Sequence, residues 1–423
     1  MLDLLSELFP LNRSITGDGV RQTLAILKRE LPDLRVDEVP SGEQAFDWTV
    51  PDEWNCSEAY LLAPDGRRLC DYAEHNLHLV GYSEPTDREL SLSELQPHLH
   101  SLPDQPEAIP YVTSYYKRNW GFCLPHSLRE TLPDGSYRAV VRSTLEPGSL
   151  TYGELHIPAN SAEDDGEVLL STYVCHPSMA NNELSGPVVT TALSQWIQSL
   201  PARRLSYRVL FLPETIGALV YMSRNLEEMK RRIIAGLILT CLGDEGSFSY
   251  VPSRQGDSLA DRVALHILRH QAPEFKRYTF LDRGSDERQY CSPGVDLPVA
   301  TICRSKYHEY PEYHTSLDNL DFVTQKGLDR SLSILKEAIL CLEGNRRYRA
   351  TTLGEPQLGK RGLYPAESTK DTASQVADLT HLLAYADGEH DLLAIAELSN
   401  RPLRTLVPLA DSLSEAGLLA LAT

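Results

Sequence analysis

From residue 166 onward, unbroken apolar runs alternate with amphipathic stretches, and this alternation limits the fold more than any other feature of the chain. "EVLLSTYV" (167–174), "SYRVLFLP" (206–213), "IIAGLILTCLG" (233–243) and "PVATICR" (298–304) read as strands. Residues 187–200, 216–231, 257–270 and 327–344 carry helical periodicity between and after them. A strand that is apolar along its whole length is covered on both faces. The pattern predicts an α/β fold with a mostly parallel mixed sheet and helices on either side.

The rest of the chain has a different texture. Val20, Leu24, Leu27 and Leu31 predict a helix within 12–34, capped by Thr16 or Asp18. Between 41 and 160, short strand-like runs ("AYLLA", "LHLVGY", "YRAVVRS", "TYGELHIP") alternate with turn residues. The first helix is expected to pack on the main sheet, which makes 41–160 an inserted β-rich domain. The expected division is 1–40 with 161–348 as the α/β domain, 41–160 as the insertion and 349–370 as a linker. Residues 371–423, with helices at 374–386, 391–399 and 402–416, form a small winged-helix-like module.

Bulk properties exclude some functions. The 423 residues carry a net charge of −19, the wrong sign for nucleic acid or anionic membrane as a bulk partner. No apolar run reaches the ~18–20 residues of a membrane span. The start, "MLDLLSELFPLNRS", lacks the basic region of a signal peptide. Eight cysteines are scattered without a CxxC pair and read as reduced thiols of a cytoplasmic protein.

Ligands of open α/β sheets bind beyond the carboxyl ends of the strands. Four polar sequences fall there: "CHPSMANNELSG" (175–186), "PETIG" (213–217), "GSDERQY" (284–290) and "YPEYHTSLDN" (310–319). His176 and His314 are candidate zinc ligands. The third ligand is Glu183 or Asp286, and Asp286 is also a candidate to orient His314. Such a set leaves one position for a water molecule. Glu214 is the candidate general base. Asn182, Arg288, Arg304, Tyr313 and Arg13 are candidates to bind substrate, with Arg288 and Arg304 suited to a carboxylate or phosphate. Each residue also has a structural reading. Glu214 can be a first-turn helix acid, Asn181 and Asn182 a turn, and Arg13 a tie for the first helix.

These motifs, with "PLNRSITGDGV", "YVTSYYKRNWGFC" and "LGEPQLGKRGLYP", resemble a family of bacterial aminopeptidase-like proteins of unknown function. The family is associated with polysaccharide gene sets and carries an inserted β domain and a C-terminal winged helix. It is similar in turn to zinc aminopeptidases and glutaminyl cyclases. The resemblance implies that His176 and His314 match the first and last metal histidines and Glu214 the base. It also exposes departures. Asn181 stands where the metal-bridging aspartate belongs, Thr215 where a second glutamate belongs, and Thr240 or Cys241 where a later aspartate belongs. Neutral side chains do not offset two Zn²⁺ ions, so one zinc is expected.

The expected function is zinc-dependent hydrolysis of an amide or peptide bond in a small peptide or aminoacyl-sugar conjugate. The alternatives are a peptidase-fold binding protein that has lost catalysis, an amide or amino-group transferase of a sugar pathway, and a DNA-binding regulator. The acidic C-terminal module disfavours the last and suits a protein partner or a homo-oligomer.

Overall fold

The computed structural model describes residues 1–161, 164–363 and 370–422. The chain forms two compact units. The first is residues 1–260 with 276–332, and the second is residues 261–275 with 333–423.

The first unit is built on an eight-stranded sheet. Its strands are β1 (Arg35–Pro40), β2 (Ser149–Ile157), β3 (Glu167–Tyr173), β4 (Ser206–Leu212), β5 (Ile233–Ile238), β6 (Ser249–Val251), β7 (Lys276–Arg277) and β8 (Val299–Cys303), in the spatial order β1-β2-β4-β3-β5-β8-β6-β7. The central four, β4-β3-β5-β8, are parallel. β2 and β6 pair antiparallel to that block on its two sides. Every residue of β3 and β4 is buried, as expected of strands covered on both faces. The helices Ser185–Ser199 and Ile216–Arg232 follow β3 and β4.

The predicted insertion differs from the expectation in two ways. Its last strand, β2, is a member of the large sheet. Its own four-stranded antiparallel sheet (Glu53–Leu62, Arg68–Leu69, Thr86–Ser91, Ser136–Glu146) does not close a separate core. Ala59, Leu61, Tyr137 and Val141 from that sheet share one buried cluster with Leu169, Tyr173 and Leu210 of the large one. The strand expected at "LHLVGY" is a 3₁₀ turn, Asn76–His78, followed by isolated bridges. The helix expected within 12–34 is Asp18–Glu30, and a further helix that was not expected, Leu2–Leu8, precedes it. Pro10 and Gly17 lie in the gap, and Gly17 has φ +99°, which a side chain resists.

The second unit centres on a three-stranded antiparallel sheet, Arg347–Ala350 between Asp387–Asp391 and Leu419–Leu421. Helices Lys370–Tyr385, Leu392–Ser399 and Leu403–Glu415 complete it. The expected linker at 349–370 thus starts inside a strand of this unit. A four-residue strand among charges carries too little alternation to be read from sequence. All eight cysteines are free. Among the described residues, no helix is long and apolar enough to cross a membrane.

Candidate active site

Strand ends supply the site. His176 follows β3, Glu214 follows β4, and His314 arrives on the loop after β8. After His176 the chain makes a π-helical turn, Ala180–Leu184, that brings Glu183 back against the imidazole. His176 Nδ1 and Glu183 Oε2 are 2.7 Å apart. That bond leaves Nε2 to face Glu214, whose Oε2 lies 3.7 Å away. Burial opposes a charge on His176, but the Glu183 carboxylate and its hydrogen bond, with Glu214, raise its pKa.

His314 has φ +56° and stacks on Tyr313 at 3.9 Å. Its ring centroid is 5.3 Å from that of His176. Tyr111 touches both rings, at 5.2 and 5.1 Å. His314 Nε2 is buried and has no hydrogen-bond partner. Burial, then the neighbouring imidazoles of His176 and His308, pull its pKa down to about 2.

Glu214 sits at the start of a strained turn. Thr215 has φ +64° and ψ −75°, and the Ile216 N–H donates to the Glu214 carbonyl at 2.8 Å. This is the rare form of the γ-turn, costly for a β-branched residue. Three bonds hold it. The Thr215 N–H donates to Asp286 Oδ1 at 2.7 Å, Arg288 Nη2 donates to Thr215 Oγ1 at 2.5 Å, and the Glu214 N–H meets Cys175 Sγ at 3.2 Å. Burial raises the Glu214 pKa against the opposing pull of His176 and Arg288. Burial, reinforced by Glu214, also raises that of Asp286.

These groups border a cavity of about 440 Å³. Its lining includes His176, Glu214, Arg288 and His314, with Trp48, Tyr111, Tyr115 and Tyr116 from the β-rich segment. Of the residues expected to bind substrate, Arg288 alone lines it. Arg13 is 1% exposed and donates to the His176 carbonyl at 2.9 Å and the Leu8 carbonyl at 2.5 Å; it is a tie. Asn182 donates its amide to the Tyr173 hydroxyl at 3.0 Å and is buried behind the site. Arg304 stacks on Phe248 at 4.5 Å, away from the cavity. Tyr313 backs the His314 ring.

A cation would meet a definite donor set. Cys175, His176 and Glu183 offer ligand-type atoms within 4.8 Å of one another. The 2.7 Å between Nδ1 and Oε2 is nevertheless a hydrogen bond, because two ligands ~2.1 Å from a tetrahedral ion lie ~3.4 Å apart. In this arrangement Glu183 is held by His176 Nδ1. Asp286 supports the Thr215 turn and makes no bond to His314. The atoms left for a metal are Nε2 of His176 and the unpartnered Nε2 of His314, with the Glu214 carboxylate beside them. Among the described residues, Glu214 and His314 do not complete with His176 a further set of three ligand-type atoms within 4.8 Å.

The side chains standing where a second ion's ligands were expected are engaged within the protein. The Asn181 side-chain oxygen accepts the N–H groups of Gly243 and Asp244 at 2.8 and 3.2 Å, and its amide donates to Asp244 at 3.0 Å. Thr240 bonds to the Tyr173 hydroxyl at 2.5 Å and the Asn182 carbonyl at 2.7 Å.

Sequence reasoning missed Asp318. It is buried at the back of the site and accepts the backbone N–H groups of Asn181 and Asn182 at 2.6 and 2.9 Å, which fixes the π-helical turn. Trp48 and Tyr111 were also missed; they stand far from the strand ends in sequence.

The sheet order and the residues at its strand ends define an aminopeptidase-like α/β protein. A zinc aminopeptidase from Bacillus subtilis superimposes with a TM-score of 0.56 at 14% identity, over 80% of this chain and 94% of its own. The chain belongs to the family described as a domain of unknown function, DUF4910, matched over residues 2–345 and followed by a winged helix-turn-helix domain at 346–421. A Clostridium acetobutylicum relative is 42% identical over 99% of this chain and 95% of its own. It is provisionally described as a polysaccharide biosynthesis protein with an aminopeptidase-like domain. A crystal structure from the same organism, provisionally described as a peptidase, has a TM-score of 0.92 at 41% identity, over 99% of this chain and 95% of its own.

Proposed function

We propose that this chain is a one-metal hydrolase of amide bonds, with Glu214 as general base. One observation carries the reading. His176 Nε2 faces Glu214 Oε2 across 3.7 Å at the cavity wall, while the buried His314 Nε2 next to it has no partner. His176 and His314 would hold the ion, which supplies polarisation of the carbonyl and a more acidic water.

The residues do the rest. Glu214 takes a proton from water as its oxygen bonds to the carbonyl carbon. It then delivers that proton to the leaving nitrogen as the C–N bond breaks, so an acid and an amine are released. Glu183 keeps His176 in one tautomer. Asp286 and Arg288 hold the turn that aims Glu214. The strain at Thr215 is consistent with that aim, because costly backbone clusters where function needs it.

The test pairs elemental analysis with amine release. Zinc-loaded protein is offered dipeptides, N-acyl amino acids and N-acyl amino sugars, the last because of the relative's polysaccharide description. One zinc per chain is expected, together with turnover that falls by about 10²–10⁴ in Glu214→Gln. His176→Ala and His314→Ala lose the metal. Stoichiometric zinc without amine release from any substrate overturns the reading and leaves a peptidase-fold binding protein.

A further inference from the structure

We infer that the cavity selects an amide bearing a free carboxylate, an N-acylated or peptidyl amino acid, over one bearing a free amino group. This rests on the amide-hydrolase reading and names its substrate class.

The charges at the cavity wall carry the inference. Arg288 is exposed there. It donates one bond, to Thr215 Oγ1, and no carboxylate oxygen of the described residues lies within the 4.0 Å of an ion pair. A guanidinium has five donors in a planar fork that matches a carboxylate, so most of its capacity faces the cavity unused. The chain as a whole is acidic, at −19, which makes an unpaired cation at the site a local feature and not a sample of the surface.

The acids tell the same story from the other side. A substrate ammonium needs a carboxylate to greet it. Glu183 is bound to His176 and lies 4.0 Å from Arg13. Asp286 accepts the Thr215 N–H and is buried. Among the described residues Glu214 is the one carboxylate lining the cavity, and an ammonium seated on it would occupy the base. A free amine therefore competes with the chemistry, and a free carboxylate does not.

The aromatic part of the lining sets the rest of the molecule. Trp48 and Tyr116 meet edge to face at 5.5 Å and remain 37% and 57% exposed. Tyr111 and Tyr115 lie deeper, joined by a 2.6 Å hydroxyl bond. Such a wall takes an apolar or ring-shaped group.

Titration calorimetry on the full chain tests this with three probes: N-acetylphenylalanine, its neutral carboxamide, and phenylalaninamide with its free amine. Glu214→Gln is used so that nothing is consumed, and Glu214→Gln/Arg288→Gln isolates the guanidinium. In the single variant the anion is expected to bind about tenfold more tightly than the neutral amide. In the double variant that preference disappears. Arg288 also donates to Thr215 Oγ1, so circular dichroism and an unchanged affinity for the neutral carboxamide in the double variant check that its loss leaves the fold and the turn in place. Equal affinities, preference for the amine, a preference that survives in the double variant, or no binding of any probe at millimolar concentration overturns the inference. Turnover by the native protein is scored apart. Anion preference without amine release sinks the hydrolase reading alone, and amine release without charge preference sinks this one alone.

Discussion

The His176 imidazole and the Glu183 carboxylate lie 2.7 Å apart with almost no solvent on either, and this bond decides which nitrogen meets the cavity. Behind Glu183, at 4.0 Å, sits the buried guanidinium of Arg13. Glu183 thus answers to two partners.

Replacing Glu183 should therefore register twice. Glu183→Gln removes the charge that compensates Arg13 and loosens the imidazole while changing little volume. A buried partner lost from such a set costs about 3 kcal/mol, read as a lower urea midpoint at unchanged slope. Zinc affinity should fall by about 10–100-fold, the usual cost of losing an orienting carboxylate. A variant of native stability and native zinc affinity would show that the bond has no such role.

Asn181 provides the second prediction. Its amide donates to Asp244, and its backbone N–H bonds to Asp318. Asn181→Asp restores the residue type of a two-metal site in sequence but not in space. It sets a new carboxylate against Asp244 and leaves the N–H groups of Gly243 and Asp244 to hold it. The expected loss is about 1–3 kcal/mol at neutral pH. The new carboxyl is raised in the folded state, so its cost grows as pH rises above the ordinary carboxylate value and shrinks toward acid. Denaturation of both proteins between pH 4 and pH 8, roughly the carboxylate window of such linkage, checks the sign. No second zinc should bind.

The fold and the site were legible in the sequence to different depths. The parallel core was plain because its strands are apolar along their whole length, a pattern with few alternatives. His176, Glu214 and His314 were singled out because each follows or faces a strand end in a run of polar residues, and the structure brings the three to one cavity. The hydrogen bond between Glu183 and His176 was not legible in the sequence. Whether a carboxylate binds an ion or a histidine depends on a π-helical turn, and that turn depends on Asp318 far along the chain. Tyr111 and Trp48 were hidden for the same reason: they reach the cavity from a segment whose packing against the large sheet leaves no local signature. The winged unit was read too short because the strand at Arg347–Ala350 pairs with residues at the other end of the module.

The third prediction concerns acid and the second unit. Asp391 accepts from Arg262 at 2.7 and 2.6 Å and caps helix Leu392–Ser399 through the Ala394 N–H at 2.8 Å. Burial pushes its pKa up, but the Arg262 pair and the cap prevail and lower it below the ordinary 3.8. A carboxyl lowered by folding stabilises above its unfolded value and loses that contribution as pH falls through and below it. Hydrogen exchange in residues 392–399 of the full chain should therefore speed up on acidification below pH 3.8. In Asp391→Asn that acid step should vanish, with about 1–2 kcal/mol already lost at neutral pH. An unchanged acid step in the variant assigns it to another group.

The winged helix-turn-helix unit raises the question of DNA. Residues 346–421 hold ten acids (355, 367, 371, 378, 387, 389, 391, 397, 411, 415) against eight cations (346, 347, 349, 360, 361, 370, 401, 404), and beyond residue 370 the cations are two arginines, Arg401 and Arg404. Both arginines are engaged, Arg401 with Asp378 at 2.8 Å and Arg404 with Glu337 at 3.3 Å. Helix Leu403–Glu415, in the place of a recognition helix, offers Arg404 against Asp411 and Glu415. Phosphate binding needs several unpaired cations on one face, because each neutralised phosphate contributes through counterion release. We propose that this unit binds protein, and the expected result of a gel shift with random duplex at physiological salt is no complex. A retarded band whose affinity falls steeply with added salt would show that charges outside this helix supply the contact, and the protein-binding assignment would fall with it.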